Sequence, residues 1–144
     1  MKLNAKKCRN CVCFFKEKLS LQPLQNDGNE LESVSSHKVL GLVIQSNLKW
    51  NEHIDFVISK ASKRLHILRV LRRGGVPPKD LLLIYFALIR SVLEYCCVVW
   101  HHAIPLYLSE EVERVQKRAF RIILPSVHYK DALRTLDCLT LAER

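Results

Sequence analysis

Hydrophobic and polar positions follow two regimes along these 144 residues, and the change falls near Trp50. Before it, apolar residues come in short runs. Residues 11–15 (CVCFF) and 38–44, the latter with β-branched Val39, Val43 and Ile44, predict two strands. The polar stretch 18–36 carries Pro23 and the turn signal Asn26-Asp27-Gly28-Asn29, which predicts a hairpin connection or loop between them. From Asn51 the period lengthens to that of a helix. Ile54, Val57, Ile58, Ala61, Leu65 and Leu68 fall on one face. Gly74-Gly75 ends this helix, and Pro77-Pro78 starts the next with Asp80 near its positive end. Residues 81–100 are apolar nearly all round, which predicts a central, buried helix in which Arg90 and Glu94 pair across one turn. Pro105 interrupts the run. Ser109, followed by Glu110 and Glu111, predicts the cap of a third helix reaching about Leu124. Its inner face is Val112, Val115, Ala119, Ile122 and Ile123; Lys117, Arg118 and Arg121 point outward. Pro125 stops it, and a short helix follows from about Tyr129 to Leu136. Thr140-Leu141-Ala142-Glu143 is a capping box and announces a further helix beyond the last residue.

The pattern therefore predicts a mainly α chain of the α+β class. A small two-stranded β element over 1–48 precedes a helical region over 49–144, a bundle of three to five helices. A chain of this length makes one modest core.

Charge sharpens the picture. The net charge is +9 with a pI near 9.5, which points to a polyanionic partner, nucleic acid ahead of an acidic membrane surface. Six cations and no acid lie between residues 60 and 73: Lys60, Lys63, Arg64, Arg69, Arg72 and Arg73. Lys and Arg on a helix neutralise phosphates without reading sequence. The same residues would also serve as a solvated face whose last turn suits the helix dipole. Four glycines and no G-x-x-x-x-G-K or G-x-G-x-x-G pattern speak against a Gly-rich phosphate loop. Arg90 and Glu94 inside 81–100 favour a buried helix over a membrane span. Residues 1–12 lack the apolar core of a signal peptide. The expected setting is intracellular, cytoplasm or nucleus, with reduced thiols at Cys8, Cys11, Cys13, Cys96, Cys97 and Cys138.

Three other constellations are weaker. Cys8-x-x-Cys11-x-Cys13 resembles half of a zinc site, but its other half would have to come from Cys96, Cys97, His101 or His102 in the apolar helix, so free thiols are expected and no metal. His53, Asp55 and a distant histidine such as His128 formally match a two-histidine, one-carboxylate iron triad. Side chains two apart on a helix diverge, however, and the many strands of a dioxygenase are missing. Ser35, Ser36 and His37 sit in a polar turn without a nucleophile elbow. Trp50 and Trp100 read as core aromatics, with base stacking a lesser alternative for Trp50.

Taken in order, the segments resemble the reverse transcriptase of non-LTR (LINE-type, jockey-like) retrotransposons, from the end of the palm through the thumb, over essentially the whole chain. MKLNAKKC is similar to the family segment that follows the catalytic aspartates, where L-N-x-x-K precedes a strand. SHKVLGLVIQSNLKWNEHI is similar to F-K-Y-L-G-V…L-x-W-x-x-H-I, which contains the primer-grip hairpin. KRLHILRVLRRGGVPPKDLLLIYFALIRSVLEYCCVVW and VERVQKRAFRII are similar to the helices that come next.

The resemblance implies a primer-grip-like position for Leu40 and Gly41. It implies a thumb whose basic helix holds the backbone of an RNA/DNA primer–template, and a missing palm domain as the other partner, with no membrane. Lys7 matches a palm lysine of the family. Two departures stand out. Val39 replaces the aromatic of the grip segment, and the upstream aromatic-Ala-Asp-Asp motif has no counterpart, since the chain contains no Asp-Asp pair. Mg²⁺ and catalysis would belong to the intact polymerase alone. The expectation is a catalytically incomplete piece of an RNA-directed DNA polymerase, cut short at both ends, that binds nucleic acid and is not an enzyme by itself. The alternatives are a helical interaction module with no nucleic-acid role, or a segment like the one beside AlkB-type tRNA-modifying dioxygenases and methyltransferases.

Overall fold

The computed structural model describes residues 25, 26 and 29–143, which are mostly helical with short antiparallel strands ahead of the helices. The expected strand at 11–15, Lys7, and Cys8, Cys11 and Cys13 lie outside the described residues. The chain divides into two compact units, one ending at His53 and the other beginning at Ile54.

In the first unit, β1 (Gln25–Asn26) pairs with β2 (Asn29–Glu30), and β3 (Ser36–Val39) pairs with β4 (Leu42–Gln45). The second pairing corrects the sequence expectation. Residues 38–44 are not one strand but the two arms of a hairpin turning at Leu40 and Gly41. Both have positive φ, 48° and 89°, as the two central residues of a tight type I′ turn must. The alternation of Val39, Leu42 and Ile44 resembles a single run because a two-residue turn interrupts it so briefly.

β4 leads into α1 (Asn51–Arg73) through local polar bonds. The side chain of Asn47 accepts from the Lys49 amide at 2.9 Å, a turn typical of asparagine. Gln45 accepts from the Glu52 amide at 3.2 Å and donates to the Glu52 carboxylate at 3.1 Å. It thereby satisfies one of the amides a helix leaves open at its start. Lys38 and Val43 face each other in the register, at a pair whose amides point away from the partner strand. The Val43 amide donates instead to Nδ1 of His53 at 3.3 Å.

In the second unit α1 buries Ile54, Val57, Ala61, Leu65 and Leu68, with Ile58 half-buried on the flank. Its end is a Schellman motif: the Gly75 amide donates to Arg72 O at 3.2 Å and the Val76 amide to Leu71 O at 3.2 Å, with Gly75 at φ 82°. α2 (Pro78–Ile84) starts on its two prolines as expected and continues through a π-helical segment (Tyr85–Arg90) into α3 (Ser91–Leu93). Cys96, at φ 51°, breaks the helix before the short α4 (Cys97–Trp100) and a 3-10 turn (His101–Ala103).

This run corrects a second expectation, since it is not buried all round. Leu81, Tyr85, Ile89, Val92, Leu93 and Trp100 face inward, while Leu83, Phe86, Val98 and Val99 face out. A unit this small has too little neighbouring surface to enclose a helix on every side. Pro78–Ala103 is long and apolar enough to cross a membrane by length and composition alone. Arg90 and Glu94 pair within it at 2.7 Å.

α5 (Leu106–Ile123) packs on α2 and on α6 (Tyr129–Thr135). It starts on Pro105 rather than at Ser109. The amides of Leu108 and Ser109 both donate to the Pro105 carbonyl, and Leu108 is buried. Core contact therefore extends the helix one turn ahead of its best cap, and the fixed φ of proline suits the new start. Val112, Val115, Ala119, Phe120 and Ile123 are buried, Ile122 only half so.

Candidate nucleic-acid interface

α1 carries the cations that the sequence singles out. Lys60, Lys63, Arg69, Arg72 and Arg73 are exposed and Arg64 is half-buried. They do not form one stripe. Lys60 and Lys63 are three residues apart and adjoin on the solvent side, with Lys60 lying 5.9 Å from the Phe56 ring. Further along that side come the exposed apolar residues Ile67 and Val70. Arg69 and Arg73, four apart, share a different row. Arg72 continues the row of Leu65 and Leu68 beyond the last core contact. The C-terminal turn is thus ringed by positive charge at the negative end of the helix dipole. Arg64 has a structural role as well: its guanidinium donates to the carbonyl of Leu88 in the π segment. That bond ties α1 to the π segment.

Leu40 and Gly41, which the resemblance marks as primer-grip-like, sit at the hairpin turn. Leu40 is 86% exposed at its tip. A non-glycine residue in this left-handed region costs about 1–2 kcal/mol, and asparagine tolerates it far better. Leu40→Asn should therefore stabilise the hairpin by about 1 kcal/mol, read as slower amide hydrogen exchange at Leu42 and Ile44. Unchanged or faster exchange would show that the leucine carries no such strain.

His53 and Trp50 flank the entry to α1. Their rings meet edge to face, 5.7 Å between centroids. His53 is fully buried, and burial holds its pKa below the ordinary histidine value, which keeps the ring neutral and Nδ1 free to accept from Val43. That role is structural and gives no support to the iron-triad pattern. Asp55 is exposed, and His128 is the residue preceding α6. Among the described residues no group of three His, Cys, Asp or Glu side chains is placed to hold a metal ion. Cys96, Cys97 and Cys138 are free thiols.

One polar cluster escaped the sequence reading. Gln116 is fully buried on the apolar face of α5. Its carbonyl accepts from the Tyr85 hydroxyl at 2.5 Å, and its amide donates to the Tyr129 hydroxyl at 2.9 Å and to Leu139 O at 3.1 Å. Tyr129 in turn donates to Glu113, whose other oxygen accepts from the Leu141 amide at 2.8 Å. Burial pushes both tyrosines well above their usual pKa, so both stay protonated donors. The cluster ties the final segment to α5, and the capping box at its end is formed, with Thr140 donating to Glu143 at 2.7 Å. The signal was available: Gln116 is the one polar residue among core positions 112, 115, 116, 119 and 120.

Comparison with protein families, with curated proteins and with solved structures yields no match for this chain.

Proposed function

We propose that the chain is a thumb-region piece of a non-LTR retrotransposon-type RNA-directed DNA polymerase, which binds nucleic-acid backbone and does not polymerise alone. The observation that carries this reading is the acid-free run of six cations over residues 60–73, set within segments whose order resembles that family. The exposure of Lys60, Lys63, Arg69, Arg72 and Arg73 supports it. So does the hairpin whose turn is Leu40 and Gly41, the residues the resemblance marks as primer-grip-like. Contact with backbone phosphates would give affinity with little sequence preference.

A labelled RNA–DNA hybrid titrated at increasing salt tests the reading. Affinity should fall steeply, because each neutralised phosphate releases counterions. Lys60→Ala with Lys63→Ala should flatten the log–log slope by about two. Lys16→Ala with Lys18→Ala removes the same charge outside α1. Equal weakening by both pairs would reduce the effect to net charge and favour an interaction module without nucleic acid.

A second reading has its own observation. Leu83, Phe86, Val98 and Val99 are exposed on one helical run, and exposed apolar side chains of this size mark protein contacts in many folds. On that reading the helical unit docks a protein, and the palm of a parent polymerase would be one such partner.

A further inference from the structure

A cavity of about 590 Å³ opens between the second half of α5 and the start of α6. Lys117, Arg121 and Lys130 stand around it, with Phe120, Val127 and Tyr129 among the other lining residues. No Asp or Glu lines it. Two neighbouring acids are engaged elsewhere, while Lys130 also borders a second hollow lined by Asp137 and Glu143. Glu113 uses both carboxylate oxygens within the Gln116 cluster, and Asp131 pairs with Arg134 at 3.8 Å. None of the three cations is in an ion pair with a described residue.

Three positive groups around one concave space repel each other, and a bound anion removes that repulsion. Lys117 and Arg121 are four apart on α5 and lie on the same side of the helix. Lys130 approaches from α6. Lys117 is further held over the Tyr129 ring, 5.4 Å from its centroid, and that ring is anchored by the buried hydroxyl bonds described above. The cavity walls also offer apolar surface at Val127 and Pro125. Size, charge and an apolar wall together suit a ligand with an anionic end and a flat, less polar body.

We propose that this cleft is a nucleotide site. The phosphate lies among Lys117, Arg121 and Lys130, and the attached base or sugar rests on Val127 and Pro125. The nucleotide can be free or one unit of a strand; the phosphate chemistry is the same. The site is separate from the cations of α1 and does not depend on the reading given to them.

The test uses the full chain, with the backbone amides of Val127, Tyr129 and Ala132 followed by NMR. It is titrated with adenosine monophosphate and, separately, with a short single-stranded oligonucleotide. Shifts at these amides with the monophosphate assign a free nucleotide; shifts with the oligonucleotide alone assign a strand. Lys117→Gln with Lys130→Gln changes two exposed side chains and should weaken the effective ligand at least about tenfold. Arg73→Gln with Lys79→Gln removes equal charge at residues that do not line the cleft and should leave binding within about twofold. Lys60→Ala with Lys63→Ala should also leave the cleft shifts in place. The proposal is overturned if neither ligand moves these amides, or if the cleft pair and its charge control weaken binding alike.

Discussion

Trp100→Ala lowers the stability of the helical unit by about 3–5 kcal/mol, enough to leave it near its unfolding midpoint without denaturant. Trp100 is fully buried, and its indole nitrogen donates to Tyr95 O at 3.1 Å. That carbonyl stands at the break where Cys96 turns left-handed and the helix loses its regular bonds. The substitution therefore removes a large apolar body and also the hydrogen bond that the indole donates across the break. Urea unfolding followed by far-ultraviolet circular dichroism measures the loss. Trp100→Phe keeps most of the volume but not the donor, so it should cost roughly half as much, and the difference reports the hydrogen bond. A loss below about 1 kcal/mol for Trp100→Ala would mean that the site collapses freely and that the indole does not hold the break.

Gln116→Leu should cost about 3 kcal/mol although it replaces a polar residue in the core with an apolar one of similar size. The Tyr85 hydroxyl, buried with Gln116 as its acceptor at 2.5 Å, would be left without it. Leu139 O would lose a donor too. Tyr129 would keep Glu113. The combination with Tyr85→Phe removes the stranded hydroxyl. The double variant should then recover a large part of the loss, with a coupling of about 1–3 kcal/mol in the cycle. Simple additivity would show that the two side chains do not act as one buried unit. Because the cluster also holds Leu139 and Leu141, the single variant should loosen the end of the chain, seen as faster amide exchange at Leu141, the amide that donates to Glu113.

The exposed apolar residues of the Pro78–Ala103 run and the buried Gln116 mark opposite failures of a simple inside–outside rule. The first group is apolar and outside because the remaining helices cover one side only. The second is polar and inside because two tyrosine hydroxyls and a carbonyl meet it there. Neither fact can be read from periodicity, since each depends on which element lies across the gap.

By itself the sequence determined the parts of this protein whose physics is local. The span of α1, its glycine stop, the proline start of α2, the Arg90–Glu94 pair and the short α6 all depend on residues within about one turn of each other. The mainly helical class with a small antiparallel element followed from the same signals. Only the tertiary structure decided what depends on distant partners. The hairpin register places Leu40 and Gly41 in the turn, and Arg64 donates to Leu88 O in the π segment that lies beside it. The extra turn of α5 follows from burial of Leu108, against the preference for Ser109 as a cap. The cationic cleft exists because α6 folds back against α5 and carries Lys130 to the side of Lys117 and Arg121. A one-dimensional pattern records which residues are apolar or charged, but not which surfaces meet, and it is the meeting of surfaces that pairs some charges and leaves these three without an ion pair to a described residue.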